Sequence, residues 1–335
     1  MPSNVSDVFL SSLSRLGFGA APLGNLYSEV GDDDAAAALA TARRYGIRYF
    51  DTAPFYGHGL SERRLGEAFA TWPRAEFAVS TKVGRLIEAD AARSARVNDG
   101  FAVSGSRAVF DYSRGGVRRS FEASLRRLRV DRVDILLLHD IGRLTHGERH
   151  AATLAQALAE ALPEMARLRE EGLVGAIGLG VNEQEVCLEV LPRFPLDCIM
   201  LAGRYTLLEQ TASRELMREA QARGVKILVA GPYNSGLLAD PHGPGATYDY
   251  APVDAATLAR AREIYAICTA AGIDVGAAAL QFPLAHPAVA TVVAGLRSVG
   301  EVESAAARRD ATIPAALWRR LRDAGLLPPD TVLPS

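Results

Sequence analysis

Short runs rich in Val, Ile and Leu recur along the chain, separated by longer stretches in which Ala, Leu, Arg and Glu return at helical spacing. The runs are "RLGFGA" (15–20), "IRYFD" (47–51), "FAVSTK" (77–82), "VDILLLH" (133–139), "VGAIGLG" (174–180), "CIMLA" (198–202), "VKILVA" (225–230) and "TVVAG" (291–295). Most are continuously apolar, the pattern of parallel strands covered on both faces. Helix candidates lie between them. In "DDDAAAALATARRYG" acids fill the first turn and Gly46 marks the stop. Similarly, "GLSERRLG" offers Ser61 as a helix cap.

Eight strand–helix units within 335 residues predict the α/β class and a (β/α)8 TIM barrel. A doubly wound dinucleotide fold would need GxGxxG opening a helix. Here "GFGAAPLG" has the wrong spacing and runs into Asn25 and Tyr27. No Pro/Gly/Ser linker divides the chain, so residues 1–335 are expected to form one domain. Two connections are long, 85–113 after the third strand and 232–252 after the seventh. Both follow strand ends on the face where barrel enzymes place their chemistry, which predicts substrate-covering loops.

Polar residues fall at those same strand ends. Strand two ends with Asp51, three with Lys82, and four with His139 then Asp140. Strand five leads to Asn182, six to Arg204, seven to Asn234, and eight to Arg297 and Ser298. A barrel brings adjacent strand ends together, so Asp51, Lys82 and His139 should meet, with Tyr56 just beyond strand two. A free Tyr titrates near about 10 and is a poor acid or base at neutral pH. Lowering it by about three units takes roughly 4 kcal/mol, which one ammonium ~4 Å away supplies at an effective dielectric of about 20. Asp51 would keep Lys82 charged, and His139 would orient the substrate oxygen.

Charge and composition narrow the partners. A net charge of −2 with interspersed signs gives no basic footprint for nucleic acid. Cys187, Cys198 and Cys268 form no CxxC pair or Cys/His cluster, and no HxH pair suits a metal-dependent hydrolase, so no metal is expected. The start lacks a basic region followed by an apolar block, and no apolar run reaches the ~18 residues that span a bilayer. The expectation is a cytoplasmic protein, monomer or homodimer, that binds a small molecule and no membrane.

"FDTAPFYG", "STK" and "LLLHDI" resemble, in order and placement, three segments of the aldo-keto reductase superfamily. The resemblance covers nearly the whole chain. It implies an extended nicotinamide dinucleotide, hydride transfer to or from a carbonyl carbon, and Asp51, Tyr56, Lys82 and His139 as the catalytic four. "APLGNLY", "GLGVNE" and "GPYNSGLL" look most like the sugar-oxidising branch, the D-threo-aldose (L-fucose) 1-dehydrogenases. Pyridoxal 4-dehydrogenase is similar over the same segments.

Carried across, the resemblance assigns cofactor contacts to Asn182, to Tyr233, Asn234, Ser235 and Gly236, and to Gly295, Arg297, Ser298 and Glu301. Many members carry Ser-Asn after strand five; here Gly180 and Val181 precede Asn182. Gly295 and Glu301 stand where NADP-using members often have Lys and Arg. A carboxylate there accepts from a ribose hydroxyl and repels a 2′-phosphate, which favours NAD with NADP as second choice. The implied reaction is oxidation of the C1 hydroxyl of a free aldose to the lactone. Tyr27, His58, Asp111, Tyr112 and Arg204 are the expected substrate contacts, since a polyol needs several directed hydrogen bonds. The rival readings are pyridoxal oxidation, aldehyde reduction and a non-catalytic cofactor-binding subunit.

Overall fold

The computed structural model describes residues 4–93, 100–239, 247–248 and 251–334. All eight predicted strands form: β1 Leu16–Gly19, β2 Tyr49–Asp51, β3 Ala78–Val83, β4 Val133–His139, β5 Val174–Val181, β6 Cys198–Ala202, β7 Lys226–Ala230 and β8 Val289–Gly295. They close in the order β1-β8-β7-β6-β5-β4-β3-β2, every neighbour parallel. This is the (β/α)8 barrel.

Strand alternation explains the unbroken apolar runs. Tyr49, Ile135, Leu137, Ala176, Cys198, Met200, Leu228 and Val293 fill the barrel interior. Their neighbours, among them Phe50, Leu136, Leu138, Ile177 and Ile199, face outward into the layer under the helices. A helix that the sequence pattern did not announce, Asn4–Ser11, adds Leu10 to the interior cluster. It is tied down by Ser6 Oγ donating to the Gly175 carbonyl (3.3 Å) and by Lys226 pairing with Asp7 (3.1 Å). With Leu10 and Leu13 packed at the end where the strands begin, the opposite mouth is left for chemistry.

Two expectations are corrected. The stretch 85–113 carries an antiparallel hairpin, Arg85–Ala89 with Ser106–Phe110, stitched by pairing along its length and by an ion pair between Arg107 and Glu88 (2.9 Å). Ser61 does not cap its helix, Leu60–Phe69, which instead starts from Gly59 at φ 89. Its hydroxyl donates to the Ala20 carbonyl (2.7 Å) and accepts from Thr52 Oγ1 (2.8 Å), tying the helix to the ends of β1 and β2. In the second long connection, residues 240–246 and 249–250 lie outside the described residues.

Helix Leu60–Phe69 packs against helix Arg114–Leu128 at a point where only a missing side chain fits. A Cβ on Gly66 would sit 2.1 Å from the Arg127 carbonyl oxygen. Beside that contact Glu62, fully buried, accepts from Thr81 Oγ1 (2.7 Å) and Arg127 Nε (2.6 Å), fixing both helices to the strand that carries Lys82. Gly66→Ala should therefore destabilise by roughly 1–3 kcal/mol through overpacking, even though alanine is favoured over glycine by about 1 kcal/mol in a free helix. Urea unfolding checks the sign; a midpoint equal to or above the parent's would show that the helices separate without cost.

Candidate active site

Asp51, Lys82 and His139 are the last inward-facing residues, or nearly so, of β2, β3 and β4. Pairing of Asp51 with Ser80, and of Lys82 with Leu137, puts them side by side at the open mouth. Tyr56 arrives on a tight turn, its backbone N–H bonded to the Ala53 carbonyl (3.1 Å). The turn reverses through Gly57 at φ 62, and its backbone lies against Gly24, where a Cβ would be 2.5 Å from the Tyr56 carbonyl carbon. That contact fixes the backbone from which the phenol extends.

The Lys82 ammonium donates to Asp51 Oδ1 (3.0 Å) and Oδ2 (2.8 Å), to the Thr52 carbonyl (2.9 Å) and to Tyr56 OH (3.0 Å). The Lys82 and Asp51 side chains are only 3% and 4% exposed, so each depends on the other. Burial by itself would lower the lysine, but Asp51 and then Tyr56 outweigh it and leave the ammonium above its ordinary value. His139 lies with its ring perpendicular to Tyr56 at 6.0 Å. Burial, followed by the Arg85 and Lys82 cations, holds it well below the usual imidazole range, so it is neutral. One cleft thus holds a cation next to a phenol, and a neutral imidazole beside them.

Below the tetrad runs a second line of hydrogen bonds that sequence reasoning missed. Ser80 Oγ donates to Asp51 Oδ1 (2.7 Å), and because its proton is spent there, Tyr49 OH donates to Ser80 Oγ (2.8 Å). Tyr49 and Ser80 are fully buried. The only signal in the sequence was their position two residues before Asp51 and Lys82, which the period of a strand places on the same inner face. Above the tetrad, Phe101 lies 6.0 Å from the Tyr56 ring and bridges through its backbone to Leu26.

The other expected residues divide. Tyr27 is 64% exposed, on the loop joined to the hairpin connection by its N–H to the Gly100 carbonyl (2.9 Å). His58 is buried, and its Nδ1 meets Ser106 Oγ (3.0 Å), pinning the hairpin to the Tyr56 turn. Asp111 and Tyr112 have structural partners. Asp111 accepts from Ser113 N–H (3.0 Å) and Oγ and pairs with Arg119 (2.8 Å), which organises the start of helix Arg114–Leu128. Tyr112, 4% exposed, places its hydroxyl 2.9 Å from the His139 and Asp140 carbonyls, so it supports the turn under His139 from behind.

Asn182 and Arg204 line one open cavity of about 530 Å³ together with Glu183, Arg143 and Glu209. Asn234 is buried in a left-handed run, φ 47, continued by Ser235 at 58 and Gly236 at 95. Its Nδ2 donates to the Gly203 carbonyl (3.2 Å), while Oδ1 is buried without a partner. Tyr233 precedes it, half-buried. Gly295 ends β8 opposite Gly19. Ser298 caps helix Val299–Asp310 by accepting from Glu301 N–H (3.2 Å). Glu301 in turn accepts from Arg297 N–H (2.8 Å) and Nε (3.1 Å), and Arg297 reaches Ser28 Oγ (2.8 Å).

The line beneath the tetrad makes a measurable prediction. Ser80→Ala leaves the Tyr49 phenol buried without its acceptor, at a cost of about 1–3 kcal/mol. Removing that phenol as well should recover part of the loss, so Tyr49→Phe/Ser80→Ala is expected to be no less stable than Ser80→Ala alone. Denaturant unfolding of the two single variants and the double tests this; strictly additive losses would mean that the two hydroxyls do not interact.

The Aldo/keto reductase family model matches residues 15–325. Over 326 residues the chain is 39% identical to a pyridoxal 4-dehydrogenase of Microbacterium luteolum, covering 94% of this chain and 95% of the relative. Over 323 residues it is 41% identical to a D-threo-aldose 1-dehydrogenase of a Pseudomonas species, covering 95% of each. Among solved structures, the holo form of an aldo-keto reductase from Bacillus halodurans superposes with a TM-score of 0.72 at 26% identity, covering 93% of this chain and 92% of that one. With this barrel and these matches, the chain belongs to the aldo/keto reductase family of oxidoreductases.

Proposed function

We propose that the protein is an NAD-preferring dehydrogenase that oxidises the anomeric C1 hydroxyl of a free aldose to the lactone. The observation that carries the reading is the Lys82 ammonium held 3.0 Å from Tyr56 OH while Asp51 neutralises it from behind. An ammonium so placed favours the phenolate, the form that accepts a proton from an alcohol. Tyr56 takes the hydroxyl proton as the C1–H bond breaks and the C1–O bond becomes a carbonyl. His139, neutral, donates to the reacting oxygen and fixes its direction.

Family members work with nicotinamide dinucleotides, and the residues of this chain suit one. The buried, unpartnered Oδ1 of Asn234 is an acceptor waiting for a donor. Asn182, Tyr233, Ser235, Gly236, Gly295, Arg297, Ser298 and Glu301 would complete the hold. When bound, the dinucleotide supplies the acceptor for the hydride that leaves C1.

Pyridoxal is the second reading, favoured by the 39% identity to a pyridoxal 4-dehydrogenase. The two substrates share chemistry: an aldose closes a hydroxyl onto its aldehyde, and pyridoxal does so through its hydroxymethyl group. In both, the hemiacetal is the form that yields a lactone. Rates on L-fucose, D-arabinose, L-galactose and pyridoxal, followed by NADH or NADPH absorbance, separate the readings; oxidation of pyridoxal alone would overturn the aldose assignment.

Two variants test the residues. Tyr56→Phe is expected to lower kcat by a factor on the order of 10² to 10⁴ while cofactor binding, read by fluorescence titration, stays within a few-fold; retained turnover would remove Tyr56 from the chemistry. Glu301→Gln should raise kcat/KM with NADP relative to NAD by roughly fivefold, since an exposed like-charge contact is worth about 1 kcal/mol. An unchanged ratio would show that Glu301 does not face the 2′ position.

A further inference from the structure

Arg85 and Asp140 form an ion pair at the mouth of the cleft that the tetrad itself does not require. Their side chains are 10% and 12% exposed. The Arg85 guanidinium lies between the rings of Phe55, at 3.9 Å, and Phe110, at 4.7 Å, and its Nε is buried without a partner. Asp140 stands in the left-handed region at φ 48, on the turn supported by Tyr112 OH and by His146 Nε2, 2.8 Å from the Asp140 carbonyl. That turn aims the carboxylate so that Oδ2 is 3.5 Å from His139 Nε2.

Such an arrangement is costly unless it is used. Desolvating an ion pair costs several kcal/mol per charge before the mutual attraction is counted. A left-handed residue that is not glycine adds about 1 kcal/mol or more. Apolar side chains would close the space between Phe55 and Phe110 without either penalty. The unpartnered Nε is the sharper clue, because a buried donor lacking an acceptor is rare unless something supplies one.

We infer that Arg85 and Asp140 form a subsite that recognises the hydroxyl on the carbon next to the reacting one. The inference rests on the aldose reading above and deepens it. The reacting oxygen must lie within hydrogen-bond reach of both Tyr56 OH and His139 Nε2. Asp140 Oδ2 is 3.5 Å from that same nitrogen, so the carboxylate and the reacting oxygen share its surroundings, and a substituent on a neighbouring carbon comes within hydrogen-bond reach of Asp140. A carboxylate only accepts, so the ring oxygen of a hemiacetal cannot satisfy it but the C2 hydroxyl can. Arg85 then donates to the oxygen of that hydroxyl. The low exposure of both side chains limits competition from water, which strengthens both bonds.

A substrate lacking the C2 hydroxyl leaves the two charges with only each other and Arg85 Nε without an acceptor, and sites built around a substrate hydroxyl reject such analogues steeply. The test compares kcat/KM for the best aldose with that for its 2-deoxy counterpart, using the full chain with NAD. The wild-type ratio is expected to be on the order of 10² to 10³. Asp140→Asn and Arg85→Lys should each bring it below about 10, with the loss falling on the hydroxylated sugar. A wild-type ratio near one, or variants that fold and keep the wild-type ratio, overturns the subsite. If either variant fails to fold, the wild-type ratio decides alone. Absence of any aldose oxidation overturns the aldose reading and the subsite with it, whereas aldose oxidation without discrimination overturns only the subsite.

Discussion

The buried pair of Lys82 and Asp51 is the interaction on which the site depends. Two charges with side chains 3% and 4% exposed are stable only if each has the other and their remaining bonds are filled. Lys82 also reaches the Thr52 carbonyl and Tyr56, and Asp51 accepts from Ser80, which is held by Tyr49. These bonds cross between β2 and β3 and are possible in one register only, since a one-residue slip would turn the whole inward set outward. The geometry needed for proton transfer and the pairing that closes this part of the barrel are therefore the same constraint.

Burial produces opposite results at the two bases of the cleft. Lys82 is kept charged because a carboxylate shares its cavity. His139 is kept neutral by burial, to which the Arg85 and Lys82 cations add, although the Asp140 carboxylate stands 3.5 Å from its Nε2. Groups pushed apart in this way can take different roles. An imidazolium would also donate, but it could give its proton to the Tyr56 phenolate, whereas a neutral imidazole donates to the reacting oxygen without acting as a competing acid.

The eight strands were legible because parallel strands buried on both faces read as continuous apolar runs. The tetrad was legible because a closed barrel forces the ends of β2, β3 and β4 into contact. What escaped depends on pairing across long separations or on unremarkable residue types. Arg85 and Asp140 are 55 positions apart; Ser80 and Tyr49 look like ordinary strand residues until their hydroxyls are seen to meet. Asp111 and Tyr112 were expected as substrate contacts because a polyol needs several directed hydrogen bonds. The helix start and the His139 turn engage them, in pairings that the sequence does not display, since unsatisfied backbone groups at those places would be costly. The hairpin within 85–113 escaped because neither of its strands shows sustained alternation in a segment dominated by charged and small residues.

The Tyr56 cleft and the Arg297–Glu301 pair proposed to hold the dinucleotide obey different electrostatics. Around Tyr56 the ion pairs are nearly dry, so losing one partner leaves a buried charge exposed to no solvent and the penalty is large. Arg297 and Glu301 are 40% and 39% exposed, an i,i+4 pair at the start of a helix whose cap is Ser298. Water and salt screen that pair, so its contribution is small. Glu301 also spends one oxygen on the Arg297 backbone N–H and the other on its guanidinium, which leaves less negative field for a 2′-phosphate than a lone carboxylate would present. Under the proposed reading, proton chemistry is tied to the barrel itself, while the choice between the two dinucleotides would rest on a surface pair that a single substitution could tilt without disturbing the fold.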